Sequence, residues 1–307
     1  MYRNGHPVTK MEFVSNKSHT ITVAECVEQM SKGQDFACSG ETVFLETGES
    51  IRYIGVMDGH GSDSCINFIR RLPDTKIQEI MGNKCPITAL QHLIGKENVV
   101  GFSESSGATM CLARVFSDHV ECLNSGDSQA VVFKNGKVEF ISEEHNTSNK
   151  KERSRLADEF RISGYLISRN IRMVAENKLE PLPSEYAEFK NGITLATTQA
   201  LGHRNTTGIR PDRTVIEYGQ SDTIRVVVGS DGLFDMIIKG DDGSYLEDDL
   251  MEMHSMSCEL IMKRAVDRWL HEWEVTLSGV TSKFTYTRIE CDDVGVAVMD
   301  IIPMESV

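Results

Sequence analysis

The sequence predicts an α+β chain built on antiparallel sheet, and three observations carry that expectation. Apolar runs of strand length recur along the 307 residues. Two pairs of them, 108–116 with 119–124 and 129–134 with 137–141, are joined by the two-residue links Ser117-Asp118 and Asn135-Gly136, which are of the hairpin type. Links that short force antiparallel neighbours and rule against a doubly wound parallel sheet. Separate stretches at 64–72, 87–94, 150–162 and 247–274 have helical character.

Thr20 to Met30 alternates at first and reads as a strand entering Ser31-Lys32-Gly33, followed by a strand at Phe36-Ala37-Cys38 that runs into a turn at Gly40-Glu41. Tyr53 to Met57 is a short apolar strand delivering Asp58 to a sheet end. Ile66, Phe68, Ile69 and Leu72 share a helical face that Pro73 ends, and Ala89, Leu90 and Leu93 share another; both read as core-facing. The four strands between 108 and 141 read as a meander, broken at Gly126-Asp127-Ser128. From 170 to 190 periodicity fails, with Pro181 and Pro183 close together. Ile193 to Ala196, 224–229 and 294–299 read as further strands. Between the last two, Leu250, Met253, Leu260, Ile261, Ala265, Trp269 and Leu270 line one or two packed helices.

A chain of this length buries one large core or two small ones, and 40% hydrophobic with 25% charged residues is ordinary for a globular protein. It has no run of about 18 apolar residues, so no membrane-spanning helix is expected. The opening MYRNGHPVTKMEF lacks a basic segment followed by an apolar one, and position 2 is not Gly, so neither a secretory leader nor myristoylation is expected. Eight scattered cysteines without a Cys-x-x-Cys pair predict a reducing compartment, cytoplasmic or nuclear, and no disulfide framework. A net charge of −14 argues against a nucleic-acid surface and repels acidic phosphosubstrates at long range.

The chemistry gathers around Tyr53 to Cys65, YIGVMDGHGSDSC. Asp58 supplies a hard oxygen, Gly59 leaves its carbonyl uncovered, His60 offers a proton near neutral pH, and Gly61 permits a sharp exit. Alone, Asp-Gly at a strand end is equally an ordinary turn. Two more apolar runs carry acids at a tip, however: Ser230 to Asp235 follows one, and Asp292-Asp293 precedes the other. Asp35 and Asp127 add a fourth and a fifth candidate. Packed together, these carboxylates repel and carry raised pKa values unless divalent cations neutralise them.

DGHG at 58–61, SGAT at 106–109, GDSQAV at 126–131, TTQALG at 197–202, SDGLFD at 230–235 and DDVGVAV at 292–298 occur in the order, and at spacings compatible with those, of a known family. From about Gln34 to Met299 the chain resembles the metal-dependent serine/threonine protein phosphatases of the 2C type. The resemblance implies a four-layer αββα sandwich of two antiparallel sheets flanked by helices, one domain over 1–307, and a variable flap at about 147–192. It implies hydrolysis of phosphoserine and phosphothreonine by direct attack of a metal-bridging hydroxide. Asp58 would bridge two cations, Gly59 would bind one through its carbonyl, and Asp231 and Asp292 would bind the other. Asp35 would join directly or through water, while Asp127 and Asp235 match a third, weaker site. Such oxygen ligands suit two Mg or Mn ions, and no His or Cys grouping suits Zn. His60 is the expected general acid beside the catalytic Asp58; the alternative is that it only orients a water.

The chain departs from the family pattern at several points. Met30, Ser31, Lys32 and Gly33 offer no Arg before Asp35, so Lys32 is the remaining candidate for the substrate phosphate, as a point charge without the planar fork of Arg. Gln129 stands where an Arg is usual, and Thr198-Gln199 and His203 replace Ser-Arg and Asp around Ala200-Leu201-Gly202. These departures and the long flap keep open a catalytically weak or inactive regulatory scaffold; a third reading, a metal-dependent hydrolase of small phosphoesters, shares the chemistry and differs only in the groove. The expected partner is a phosphoprotein substrate, with no nucleic acid and no membrane, and the protein is expected to be a monomer.

Overall fold

In a β-strand successive side chains face opposite ways, and here both faces of the central strands are apolar, so each sheet must be covered on two sides. The structure is a computed structural model that describes residues 11–15, 19–96 and 105–304. The expectation about an amino-terminal leader rests on residues that lie mostly outside them. In chain order come β1 (Met11–Ser15), β2 (His19–Glu28), β3 (Asp35–Val43), β4 (Ser50–Gly61), α1 (Ser64–Arg70), α2 (Asp74–Met81), α3 (Pro86–Lys96), β5 (Ser106–Ala108), β6 (Met110–Val115) and β7 (His119–Ser125). Then follow β8 (Gln129–Lys134), β9 (Lys137–Ile141), α4 (Lys150–Asp158), β10 (Ile162–Ala175), β11 (Lys178–Phe189), β12 (Thr194–Leu195) and β13 (Leu201–Gly202). The chain continues through β14 (Asp212–Glu217), β15 (Ile224–Gly229), α5 (Asp231–Phe234), α6 (Glu247–Ser255), α7 (Cys258–Trp269), β16 (Glu272–Leu277), β17 (Val280–Thr285) and β18 (Val294–Pro303).

Two sheets form the sandwich. One runs β1-β2-β18-β15-β8-β9; the other runs β13-β5-β4-β6-β7-β14, with β3 also on β4. Alternation sorts their side chains into three apolar layers. Ile54 and Val56 of β4 join Ala130 and Val132 of β8, Val226 and Val228 of β15, and Ala297 and Met299 of β18 between the sheets. Tyr53 and Met57, the intervening residues of β4, face Ile66, Ile69, Ile80, Ile87 and Leu90 of α1, α2 and α3. Phe133, Val227 and Val296 face the other way, onto Leu250, Ile261, Ala265 and Trp269 of α6 and α7. The result is the expected four-layer αββα arrangement. Among the described residues no helix is long and apolar enough to cross a membrane, and all eight cysteines are free, with only Cys85 not fully buried.

Several elements differ from expectation. The four-strand meander is two hairpins in different sheets: β6 pairs with β7 and β8 with β9, while Gly126-Asp127-Ser128 carries the chain across the sandwich. No turn forms at Gly40-Glu41, because β3 keeps its register with β4 there, Gly40 opposite Tyr53 and Glu41 opposite Arg52. The patternless 170–190 region is part of the long hairpin of β10 and β11, whose backbone pairing runs from Ile162 opposite Phe189 to Ala175 opposite Lys178 and accommodates Pro181 and Pro183. The helical stretch ends at Trp269, and 272–285 forms a hairpin that extends the β10-β11 sheet through a short parallel contact at Lys178 and Leu179. Both hairpins are largely surface structures, which is why neither shows a clean apolar period.

The inter-sheet layer should dominate stability. Ile54→Ala, at a side chain with no exposure, is expected to cost about 2–5 kcal/mol in urea unfolding. Ile167→Ala, 76% exposed on β10, should stay within about 0.5 kcal/mol. Similar costs at the two positions would contradict this layering.

Candidate metal and phosphate site

Strand ends of both sheets bring the acids together. Asp35 at the start of β3 lies opposite Asp58 near the end of β4. Thr109 clamps Asp58 from both sides of its peptide: its N–H donates to the Asp58 carbonyl at 2.8 Å and its Oγ1 accepts from the Asp58 N–H at 3.1 Å. Ser128 Oγ holds that Thr109 hydroxyl at 2.6 Å, which ties the Asp127 loop to the same corner. Gly59 donates to the Gln34 carbonyl, and a Cβ in its place would stand 2.8 Å from Ile66 Cβ, so packing alone requires glycine here. Gly61 has φ +74°, and a Cβ there would meet the Ser105 carbonyl oxygen at 1.7 Å; the sharp exit needs glycine on both counts.

The opposite sheet supplies the rest. β15 ends at Gly229, Ser230 donates through Oγ to Asp35 Oδ2 at 2.6 Å, and Asp231 opens α5. Asp293, just ahead of β18, accepts from the N–H groups of Met30 and Gln34 at 2.6 Å each, which fixes the β2-β3 loop on the 292–293 tip. Lys32, in that loop, places Nζ 2.9 Å from Oδ1 and 2.8 Å from Oδ2 of Asp292. The structure thus sets Lys32 against Asp292, where the sequence reading had it facing a substrate phosphate.

Burial and mutual repulsion raise these acids. Asp58 is pushed well above the carboxylate range by burial and then by Asp231, Asp35, Asp292 and Asp127. Asp231 is raised by burial, Asp292 and Asp127. Burial lifts Asp35 to about 7 against the relief of its Ser230 hydrogen bond, and lifts Asp127 and Asp235 to about 7 as well, with Glu144 adding to both. The sequence reading missed Glu144. Its signal was present, since Glu143-Glu144 follows β9 as acids follow the other strand ends. Glu144 meets Lys239 Nζ at 3.3 Å and the Tyr245 hydroxyl at 3.1 Å.

Among the described residues, no group of three or more His, Cys, Asp and Glu side chains is gathered ready to hold a metal ion. The donor chemistry nonetheless fits one. The converging groups are hard oxygens, and Asp35 Oδ1 and Asp231 Oδ1 are buried without a hydrogen-bond partner, a costly state that a cation relieves. Lys32 is the group that such an ion would displace at Asp292.

His60 meets His203 at 2.9 Å between Nε2 atoms, with the rings stacked. Burial first, then the His203 and Lys32 charges, lower His60 to about 3, so it is a neutral imidazole at neutral pH. The other departures find local partners. Gln129 donates to the Ser142 carbonyl at 2.7 Å and accepts from Tyr245. Gln199 and Thr198 bond Glu152 of α4 at 3.0 and 2.7 Å, and Arg155 of the same helix pairs with Glu152 at 2.7 Å.

In the folded chain Asp35, Asp127 and Asp235 hold protons that the unfolded chain, near its ordinary 3.8, gives up. The stability this provides is complete below about pH 4 and is lost as pH rises through about 7. His60, held near 3, acts oppositely between about pH 3 and 6.5. In chelator, Asp127→Asn should therefore raise the unfolding free energy at about pH 8 by at least about 1 kcal/mol and change little at about pH 4. Urea titrations giving equal effects at both pH values would contradict the assignment.

Comparison with known proteins places this arrangement. A family model described as Protein phosphatase 2C matches residues 23–267. Probable protein phosphatase 2C 27 of Oryza sativa subsp. japonica is 24% identical over 246 residues, 72% of this chain and 62% of that one. Probable protein phosphatase 2C 69 of Arabidopsis thaliana is 26% identical over 200 residues, 62% of this chain and 50% of its own length. The chain thus spans between half and two thirds of these relatives. Among solved structures, a C. elegans sex determining protein superposes with a TM-score of 0.60 at 17% identity, over 94% of this chain and 66% of that one. A serine-threonine phosphatase 2C from Toxoplasma gondii gives 0.57 at 10% identity, over 96% and 99%. These two likenesses show the shared sandwich fold. By the extent of the family match, the chain belongs to the protein phosphatase 2C family.

Proposed function

We propose that this protein is a Mg- or Mn-dependent phosphatase acting on phosphoserine and phosphothreonine in proteins. The observation that carries the reading is the convergence of Asp58, Asp231, Asp35 and Asp292 from the ends of two sheets, with buried carboxylate oxygens of Asp35 and Asp231 left unanswered. Asp58, Asp231 and Asp292, with the Gly59 carbonyl, would hold two cations, Asp35 supporting them, and Asp127 and Asp235 a third. Bound there, divalent ions would activate water and offset charge on the phosphoryl group.

The chain's own residues do the remaining work. Thr109 and Ser128 hold the Asp58 peptide still, and Ser230 fixes one oxygen of Asp35, so the acids meet a substrate already oriented. His60 is assigned the proton that the departing serine or threonine oxygen requires. Its ring is held neutral by burial and meets His203 through Nε2, so to serve as donor it must first take up a proton from solvent, with His203 released and the substrate phosphate beside it stabilising the charged ring. The hairpin of β10 and β11, inside the flap, is the surface we assign to substrate choice. We place the protein in a reducing compartment, cytoplasmic or nuclear, on its free thiols, and read it as a single-domain monomer.

The scaffold reading is favoured by one observation, the Lys32 ammonium on both oxygens of Asp292. Hydrolysis of a phosphothreonine peptide separates the two: the enzyme reading expects turnover with manganese that chelator removes. Turnover absent in both conditions favours the scaffold. Asp231→Asn should lower the rate more than about 100-fold, and near-normal activity would remove Asp231 from the site. His60→Ala should slow alkyl phosphates by about 10²–10⁴-fold and aryl phosphates much less, and equal loss on both would overturn the proton-donor role.

A further inference from the structure

The contact between Lys32 and Asp292 uses both carboxylate oxygens, the same atoms a divalent ion would take from that side chain. The attraction reaches beyond the pair, to Asp231 and Asp58. The backbone under Lys32 is fastened, since Met30 and Gln34 on either side donate their N–H groups to Asp293. The lysine side chain is the more exposed partner, at 51% against 20% for Asp292. A half-exposed ammonium is a modest partner for a carboxylate and is screened by salt, so a divalent ion can displace it.

We propose that Lys32 is a tethered competitor for the cation at Asp292, a built-in counter-ion that metal must displace. The inference rests on the reading of Asp292 as a metal ligand. Displacement removes one charge–charge contact from the metal-free state only, so the residue sets metal affinity by stabilising that state. A lysine suits this use because its flexible stem carries a point charge, whereas the planar fork of arginine grips carboxylate in a fixed geometry.

The test is calorimetric titration of manganese chloride into the full chain after chelation and dialysis, for wild type, Lys32→Gln and Lys32→Arg, with melting of each in chelator. Lys32→Gln should bind manganese about 3- to 10-fold more tightly and melt at a lower temperature in chelator, because Asp292 loses its counter-ion. Lys32→Arg keeps the competing charge and grips the carboxylate in a fixed geometry, so it should bind manganese no more tightly than wild type. Uptake by wild type with equal or weaker binding by Lys32→Gln would overturn the inference and leave the metal reading standing. No uptake by any of the three would overturn the metal reading and the inference with it.

Discussion

Like charges brought together in a low-dielectric interior repel, and that repulsion is the constraint on which the site depends. Asp58 is raised by four other aspartates besides its burial. A chain that holds carboxylates at such a corner must supply positive charge, protons or hydrogen bonds there. All three appear: Lys32 lies on Asp292, Asp35, Asp127 and Asp235 are driven to about 7, and Ser230 and the backbone N–H groups of Met30 and Gln34 take other oxygens. What they leave, the buried Oδ1 atoms of Asp35 and Asp231, is a demand for a hard cation.

The sandwich can carry this load because the strands bearing the acids are deeply buried over most of their length. β4, β15 and β18 each pack on both faces, so their tips cannot drift apart without opening the layer between the sheets. The crosslinks between the sheets are polar and local: Ser230 to Asp35 at one point, Asp293 to the β2-β3 loop at another. Rigid layers and short polar ties together hold the loop that carries Lys32 against the 292–293 tip.

Most of the fold was legible in the sequence, for physical reasons that also explain the exceptions. Central strands such as β4 and β15 are apolar on both faces and show as continuous runs, and the stripes at Ile66 to Leu72 and Ala89 to Leu93 mark helices that pack on one side. The β10-β11 and β16-β17 hairpins were invisible because exposed strands need no apolar period, and Pro181 and Pro183 argue against strand locally although this hairpin accommodates them. The split of the meander between two sheets was hidden in three residues, since Gly126-Asp127-Ser128 reads as an interruption, with nothing local to show that it crosses the sandwich. At the site, Asp58, Asp231 and Asp292 were read from strand tips and Asp127 from the break at Gly126-Asp127-Ser128, while Glu144 was missed. The pairings Lys32 with Asp292 and His60 with His203 were not, because they join residues 260 and 143 positions apart.

The departures from the family pattern become partnerships in the folded chain. Gln129 and Gln199 hold backbone carbonyl, tyrosine and glutamate groups, so the neighbourhood of the site keeps its polar support without the usual arginines. At the corner itself, Lys32 on Asp292 and His60 on His203 are set around the acids. Anomalous diffraction from crystals grown with manganese tests that account most directly. It predicts scattering peaks among Asp58, Asp231 and Asp292, with Lys32 withdrawn from Asp292. Crystals showing no peak at those carboxylates, and Lys32 still in contact with Asp292, would contradict it.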